Sequence, residues 1–249
     1  MIRAGIIGGA GYTAGELIRL LVNHPQVRLA FVHSTSNAGN RIADVHGGLE
    51  GDTELRFADT CDLASIDVLL LCSAHGESRK WLEANDVPAG VKIIDLAQDF
   101  RDESDGFVYG LPELNRDRIR TAERVANPGC FATAIHVTAV TGSTGAGVKP
   151  SATTHFSWRT DNISVYKAFT HQHLIEIGRN LRRLQPGFGK AVNFVPMRGD
   201  FARGILASVY TDCPLDETAA RRLYEDYYAP ALFTHVAAGS VDLKQVVNT

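Results

Sequence analysis

The sequence predicts an α/β protein in which a doubly wound parallel sheet is followed by a second α/β unit. In the first half, short apolar segments rich in β-branched residues alternate with helical patterns. Strands that are apolar throughout and alternate with helices are typical of a parallel sheet covered by helices on both faces. A glycine-rich turn joins the first strand to the first helix, and beyond residue 130 the predicted strands become more polar.

Four strands are predicted in the first half, at residues 2–8, 28–34, 67–74 and 91–97. A helix is predicted between the first two, because Leu17, Leu20 and Leu21 recur on one helical face. The segment GESRKWLEAN, residues 76–85, predicts a shorter helix after the third strand. Residues 107–119 then interrupt the alternation.

The second half predicts strands within residues 149–158, 191–197 and 204–214. A helix is predicted between the first two of these by apolar residues at helical spacing, namely Leu174, Ile177, Leu181 and Leu184. Another helix is predicted over residues 216–229, with Asp216 as its N-cap. The change of pattern places the domain boundary near Cys130 and predicts domains of residues 1–129 and 130–249.

Composition argues against several functional classes. The 249 residues are 45% hydrophobic and 21% charged, with a formal net charge of −3, so no electrostatic feature favours nucleic acid. The longest apolar runs, such as VLLLC, are too short to span a bilayer, and Met1 is not followed by a signal-peptide pattern. The four cysteines contain no C-x-x-C spacing, which predicts reduced thiols in a cytoplasmic protein.

The turn in GIIGGAGYTAGEL carries a dinucleotide-binding pattern, because Gly8, Gly11 and Ala14 fit G-x-x-G-x-x-A. Glycines allow a tight turn and close approach of the backbone to a pyrophosphate at the helix N-terminus. Such a motif can also serve only to pack a helix on a strand, but its place between strand and helix in a βαβ pattern favours nucleotide binding. The predicted contacts from this turn are Gly8, Gly9, Ala10, Gly11, Tyr12 and Thr13.

The end of the second predicted strand indicates which dinucleotide is bound. NAD-binding folds usually place an acidic residue there, on the ribose 2′-hydroxyl. This chain has Ser34, Thr35 and Ser36, with Arg41 a little later, and no acidic residue among them. Hydroxyl groups and an arginine suit a 2′-phosphate, so the sequence predicts NADP as the cofactor.

Cys130 and a histidine pair are the candidate catalytic residues. Cys130 follows Pro128-Gly129 and precedes a helix-like segment, so it is either a thiolate favoured by a helix N-terminus or a buried, inert thiol. His171 and His173 would face one way in an extended segment and diverge in a helix. The H-x-H spacing also suits a metal, but no third and fourth ligands stand out, so no metal site is predicted. A nicotinamide cofactor, a thiol and an imidazole are what reduction of an activated acyl group requires.

Six motifs run in order across nearly the whole chain: GGAGYTAGEL, IDLAQDFR, VYGLPELNR, NPGCFAT, TGSTGAG and YKAFTHQH. This set closely resembles the N-acetyl-gamma-glutamyl-phosphate reductase family, the NADPH-dependent N-acetylglutamate semialdehyde dehydrogenases of arginine biosynthesis. The succession of VYGLPELNR and NPGC is highly specific, whereas aspartate-semialdehyde dehydrogenases share only the general plan. The resemblance implies reduction of N-acetyl-L-glutamyl 5-phosphate to the 5-semialdehyde through a cysteine thioester.

The same resemblance implies roles for individual residues. Cys130 would be the nucleophile and one of His171 and His173 the acid/base. A Rossmann-type nucleotide domain would be followed by a domain that binds substrate and forms a homo-oligomer. Further implied contacts are Ser143 and Gly145 for the cofactor, and Arg101, Asn127 and Arg203 for the substrate.

Two departures from the family pattern are expected to matter. The helix expected after the catalytic cysteine is cut to about one turn, which predicts an internal deletion after Ile135. The family also continues beyond the residues that end this chain, so a C-terminal segment is expected to be missing. Two alternatives therefore stay open: another semialdehyde dehydrogenase of the same plan, and a non-catalytic nucleotide-binding homologue.

Overall fold

The computed structural model describes residues 1–129, 138–189, 191–211 and 213–246. The chain divides into two compact units, Met1–Thr133 and Ala134–Thr249. Cys130 and Ile135 lie outside the described residues, so the nucleophile, the internal deletion and the 129/130 domain boundary remain predictions from the sequence. No helix within the described ranges is both long and apolar enough to cross a membrane.

The first unit is a six-stranded parallel sheet with helices in its connections. The strands are β1 (Ile2–Ile7), β2 (Val27–His33), β3 (Val68–Leu71), β4 (Lys92–Asp95), β5 (Val108–Tyr109) and β6 (Arg124–Ala126). The helices are α1 (Tyr12–Val22), α2 (Ile42–Val45), α3 (Glu77–Ala84) and α4 (Pro112–Thr121). The strand order is β2-β1-β3-β4-β6-β5, and every pair is parallel. The doubly wound parallel sheet predicted from the alternating pattern is confirmed.

Both faces of this sheet are apolar, as parallel sheets require. Successive residues of a strand point to opposite faces. Ile6 accordingly joins the cluster that includes Ile18 of α1, whereas Ile7 joins a second cluster with Phe100 and Phe107. Because each central strand pairs with a neighbour on both sides, the loops at the carboxyl ends of these strands have fixed starting points, and ligands of such sheets bind there.

The second unit contains a four-stranded mixed sheet. Its elements are β7 (Thr138–Thr141), α5 (Phe156–Arg159), β8 (Ser164–Val165), α6 (His173–Leu184), β9 (Val195–Arg198), β10 (Ile205–Ser208) and α7 (Glu217–Tyr228). The order is β10-β7-β9-β8, with β7 and β9 parallel and the two outer pairs antiparallel. The predicted helices α6 and α7 are confirmed, and the Asp216 carboxylate caps α7 by accepting a bond from the Ala219 N–H at 2.8 Å.

The strand predicted within residues 149–158 is wrong. That segment forms a turn that leads into the short helix α5. Local hydrogen bonds stabilise this turn. The Ser151 N–H donates to the Thr154 hydroxyl at 2.9 Å, and the Ser151 carbonyl accepts from the His155 N–H at 3.1 Å. Ser and Thr side chains that bond the nearby backbone compete with strand pairing.

Candidate active site

The carboxyl ends of β1, β2 and β3 surround a cavity of about 610 Å³. The turn after β1 contributes Gly8, Ala10 and Gly11 to its wall, and the end of β2 contributes Ser34, Thr35 and Ser36. The opposite side is formed by the segment after β3 and by α3. A volume of this size suits a small-molecule cofactor. The structure therefore brings the glycine turn and the hydroxyl cluster together at one site.

Two of the three glycines in this turn are required by packing. Gly8 has a φ of +79°, and a Cβ there would lie 2.9 Å from backbone atoms of Cys72 and Ser73. A Cβ on Gly9 would lie 2.4 Å from Cγ1 of Val32. Gly11 differs, because the nearest atom to its added Cβ is 4.0 Å away and the residue lines the cavity. The protein itself therefore has room for a side chain at Gly11, at a position on the cavity wall.

Alanine substitutions at Gly8 and Gly11 should separate packing from binding. Gly8→Ala is expected to lower the melting temperature by several degrees, because its Cβ meets backbone atoms at a strained φ. Gly11→Ala is expected to leave the melting temperature within about a degree and to weaken cofactor binding by about tenfold or more. Thermal unfolding and cofactor titration of both variants test this. Equal effects of the two variants on stability would contradict the assignment.

The hydroxyl cluster at the end of β2 is held by local bonds. The Asn37 side chain donates to Oγ of Ser36 at 3.0 Å and to Oγ of Ser34 at 3.4 Å. Ser34 is buried, and its N–H donates to the Ala58 carbonyl at 3.3 Å. The hydroxyls on this wall are therefore oriented before any ligand binds.

Arg41 does not reach this wall in the structure. Its guanidinium contacts Glu50 at 3.1 Å, Glu54 at 3.3 Å and Asp44 at 3.6 Å, and the residue is not among those that line the cavity. These carboxylates, with Glu50 first, raise the pKa of Arg41. A guanidinium that faces three carboxylates is a weak partner for a phosphate, so the 2′-phosphate interpretation depends on the serines. Tyr12 and Thr13, also predicted to bind cofactor, are exposed on the first turn of α1 and do not line the cavity.

Helix α3 forms a wall of the cavity that the sequence analysis missed. It contributes Lys80 and Trp81, among others. The helix is fixed at its N-terminus by the Asp99 carboxylate, which accepts bonds from the Gly76 N–H at 2.7 Å and the Arg79 N–H at 3.1 Å. The only signal in the sequence was the predicted helix after the third strand, since that helix flanks the ligand edge of a doubly wound sheet.

Arg101 and Asn127, both predicted to bind substrate, lie together at the ends of β4 and β6. The Asn127 N–H donates to the Asp95 carbonyl at 2.7 Å, and its own carbonyl accepts from Nε of Arg101 at 2.9 Å. The Arg101 side chain is buried, and its Nη2 lies 3.5 Å from the Leu96 carbonyl. Part of the guanidinium therefore fixes the backbone just before Pro128.

In the second unit the histidine pair is buried and in contact. His171 lies just before α6 and His173 is the first residue of that helix, with exposed fractions of 6% and 8%. Their ring centroids are 4.7 Å apart, and Nδ1 of His171 accepts a bond from the His173 N–H at 3.2 Å. The rings of Tyr166 and Phe194 pack edge-on against His171. Because the helix begins only at His173, His171 is outside it, and the two side chains do not diverge as they would within a helix.

Burial, together with the neighbouring His173 and Lys167, lowers the pKa of His171 to about 4. His171 is therefore neutral at neutral pH. Because its Nδ1 accepts a hydrogen bond, the ring proton lies on Nε2. A ring in this state donates at Nε2 and has no lone pair there to take a proton.

The predicted contacts Ser143, Gly145 and Arg203 lie on two loops of the second unit that are bonded to each other. The Ser143 N–H donates to the Phe201 carbonyl at 2.8 Å, and the Thr144 N–H donates to the Ala202 carbonyl at 3.1 Å. A Cβ on Gly142 would lie 2.4 Å from the Ala202 carbonyl oxygen, so glycine is needed for this approach.

Both halves of the chain match families of known proteins. Residues 3–122 match the family described as "Semialdehyde dehydrogenase, NAD binding domain", and residues 124–249 match "Semialdehyde dehydrogenase, dimerisation domain". The fold is thus that of a semialdehyde dehydrogenase with a nicotinamide-dinucleotide-binding domain, and the glycine-turn cavity lies within the residues of that domain.

Similar proteins of known name identify the family within the semialdehyde dehydrogenases. N-acetyl-gamma-glutamyl-phosphate reductase of Parabacteroides distasonis is 57% identical over all of this chain and 83% of its own length. The enzyme of the same name from Bacteroides thetaiotaomicron is 56% identical with the same coverage. The chain belongs to the N-acetyl-gamma-glutamyl-phosphate reductase family.

Solved structures agree in fold at much lower identity. Aspartate semialdehyde dehydrogenase II from Vibrio cholerae superimposes with a TM-score of 0.63 at 16% identity, over 91% of this chain and 79% of that one. The Candida albicans aspartate semialdehyde dehydrogenase, solved with NADP, gives a TM-score of 0.61 at 13% identity, over 89% and 75% of the two chains. These likenesses concern the fold alone.

Proposed function

We propose that this chain reduces N-acetyl-L-glutamyl 5-phosphate to N-acetyl-L-glutamate 5-semialdehyde with NADPH, releasing phosphate, as a step of arginine biosynthesis. The observation that carries the proposal is the 57% identity, over the whole chain, to an N-acetyl-gamma-glutamyl-phosphate reductase. We place the reaction in the cytoplasm, where reducing conditions keep a nucleophilic thiol free.

The thiol of Cys130 is the proposed nucleophile. Its sulfur forms a bond to the acyl carbon, the bond from that carbon to the phosphate oxygen breaks, and a thioester remains on the protein. The thiol proton leaves with the phosphate by way of a histidine. When bound in the cavity beside the glycine turn, NADPH would supply the hydride for reduction of this thioester. The carbon–sulfur bond then breaks, the aldehyde leaves, and a proton from solvent restores the thiol.

We assign the proton transfer to His173 and a positioning role to His171. The Nδ1 of His171 accepts from the His173 N–H, so its Nε2 carries a proton and cannot accept another. The low pKa of His171, about 4, keeps the ring in this neutral state. His171 therefore orients the start of α6, where His173 is the first residue.

We propose that the cofactor is NADPH rather than NADH, because hydroxyls line the cavity where an acidic residue would bind an unphosphorylated ribose. The supporting residues are Ser34 and Ser36, whose hydroxyls are held by Asn37. The backbone from Gly8 to Gly11, which leads into the N-terminus of α1, would hold the pyrophosphate.

Ser36→Asp is expected to shift the ratio of dissociation constants toward NADH by about tenfold or more, because a carboxylate repels the 2′-phosphate and can bond a 2′-hydroxyl. Ser36→Asn is the matched control, with nearly the same shape and no charge. Fluorescence titration with each nucleotide gives the constants. Tighter binding of NADH than NADPH by the native protein would contradict the proposal, as would equal shifts in both variants.

We propose that the mixed sheet of the second unit forms a homodimer through one face. Paired residues place an apolar row across all four strands, in the order Leu206, Val140, Met197 and Val165. Leu206 and Val165 remain 40% and 54% exposed, whereas Ala139, on the opposite face, is buried. Residues 124–249 match a family described as a dimerisation domain, which supports a second copy of this chain as the partner.

A charge in this row should weaken association. Leu206→Glu is expected to convert dimer to monomer at micromolar concentration, since a buried unpaired carboxylate is costly. Leu20→Glu, at an exposed leucine of α1, is the control and should leave the assembly unchanged. Sedimentation velocity distinguishes the states. A native protein that is monomeric, or a Leu206→Glu variant that still dimerises, would contradict the interface.

Substrate choice tests the reaction itself. The purified chain should oxidise N-acetyl-L-glutamate 5-semialdehyde with a kcat/KM at least about a hundredfold above that for L-aspartate 4-semialdehyde, because sites built for one polar group reject analogues that lack it. The reverse preference would favour another semialdehyde dehydrogenase. Binding of NADPH without turnover of either aldehyde would favour a non-catalytic homologue.

A further inference from the structure

His46, which follows α2, contacts the glycine turn from a distant point in the sequence. Its Nε2 lies 2.7 Å from the carbonyl oxygen of Gly9. A carbonyl oxygen only accepts hydrogen bonds, so Nε2 carries the proton and donates. The side chain is half-buried, and its ring centroid is 6.2 Å from that of Phe57.

The same ring fills the space beside Gly15 in the first turn of α1. A Cβ on Gly15 would lie 2.6 Å from Nδ1 and 2.9 Å from Cε1 of His46. Glycine is otherwise a poor residue for a helix. Its place in α1 is explained by the imidazole that packs against it, so His46 and Gly15 form a matched pair.

The bond from His46 orients the Gly9–Ala10 peptide group at the cavity, because Nε2 holds the Gly9 carbonyl oxygen. The preceding peptide group is held separately, since the Gly9 N–H donates to the His33 carbonyl at 2.9 Å. In a planar trans peptide the carbonyl of one residue and the N–H of the next point in opposite directions. The bond to His46 therefore turns the Ala10 N–H away from the imidazole, and Ala10 lines the cavity.

We propose that His46 is a positioning residue for the nicotinamide cofactor, holding the Gly9–Ala10 peptide so that the Ala10 N–H is presented to the pyrophosphate. This inference rests on the cofactor site proposed above. A donor that is already oriented binds an anion without first losing conformational freedom, so the imidazole contributes to affinity without touching the cofactor.

Two substitutions of His46 separate its hydrogen bond from its bulk. The terminal nitrogen of glutamine reaches about as far as Nε2, whereas that of asparagine reaches only as far as Nδ1. His46→Asn is expected to raise the NADPH dissociation constant and the KM for NADPH by about tenfold, with kcat and the substrate KM within about twofold. His46→Gln is expected to stay within about threefold of the native protein.

A double-substitution cycle tests the contact with Gly15. Gly15→Ala alone should weaken NADPH binding by about tenfold, because its Cβ displaces the imidazole. In the His46→Ala background the same change should have no further effect, since the space is then empty. The cycle also remains informative if His46→Asn does not fold.

The NADPH titrations, run on the full chain with thermal unfolding recorded for each variant, decide between the outcomes. Native affinity in a folded His46→Asn variant would overturn the proposal, as would additive effects of Gly15→Ala and His46→Ala. A native chain that binds neither NADPH nor NADH would overturn the proposed cofactor site and this inference together. Native binding with an unchanged His46→Asn variant would overturn this inference alone.

Discussion

Cys130→Ser is expected to remove nearly all reduction of the acyl phosphate while leaving NADPH binding unchanged. A neutral serine hydroxyl is a far poorer nucleophile than a thiolate, and loss of a covalent nucleophile lowers kcat by about a thousandfold or more in other enzymes. The substitution replaces one atom, so the fold should be retained. Stopped reactions with the acyl phosphate and fluorescence titration with NADPH measure the two effects.

The other cysteines provide controls for this result. Burial raises the pKa of Cys61, and burial together with nearby Asp95 raises the pKa of Cys72 to about 12, so both thiols stay protonated at neutral pH. Cys213 is exposed, so its rate of modification provides the comparison for an accessible thiol.

Iodoacetamide should therefore modify Cys130 first, below the pH at which a free thiol of pKa about 8.5 becomes reactive, and bound acyl phosphate should protect it. If Cys130→Ser turns over at near the native rate, or if Cys130 reacts no faster than Cys213, the residue is only packing.

The second large effect is expected at the histidine pair. His173→Asn should lower kcat by about a hundredfold or more, the usual scale of general acid–base catalysis. His171→Asn should lower it by less than about tenfold, because an asparagine oxygen can replace Nδ1 as the acceptor for the His173 N–H.

Steady-state kinetics and pH profiles of both variants test this division of roles. A large loss in His171→Asn with a near-native His173→Asn would reverse the assignment. Two near-native variants would remove both residues from the mechanism.

The sequence predicts this fold well where the physical signal is local. The core strands β1 to β4 are apolar on both faces because helices cover both faces, and that pattern survives in the sequence alone. The N-cap at Asp216 depends on a contact three residues away, so it too could be predicted. The segment 149–158 was predicted as a polar strand, and that prediction was wrong because the turn-forming bonds of Ser151 and Thr154 leave no signal in the apolar pattern.

Contacts between residues far apart in the chain could not be predicted from the sequence. The glycine turn could be predicted because its glycines follow a known spacing. The serine cluster could be predicted because it lies at the end of the second predicted strand. Arg41 was predicted to face a phosphate from its position in the chain, but carboxylates nine and thirteen residues further on engage it instead. His46 reaches Gly9 across 37 residues, and neither α2 nor the VHGG segment carries a pattern that indicates this contact.

Phosphate-dependent reduction of NADP by N-acetyl-L-glutamate 5-semialdehyde tests the account most directly. The thioester formed on oxidation of the aldehyde must be released by phosphate, so absorbance at the reduced nicotinamide band should rise beyond one equivalent per active site only when aldehyde, NADP and phosphate are all present. Cys130→Ser should show no rise under the same conditions. Equal rates with and without phosphate, or turnover that survives Cys130→Ser, would contradict an acyl-phosphate reductase that works through a cysteine thioester.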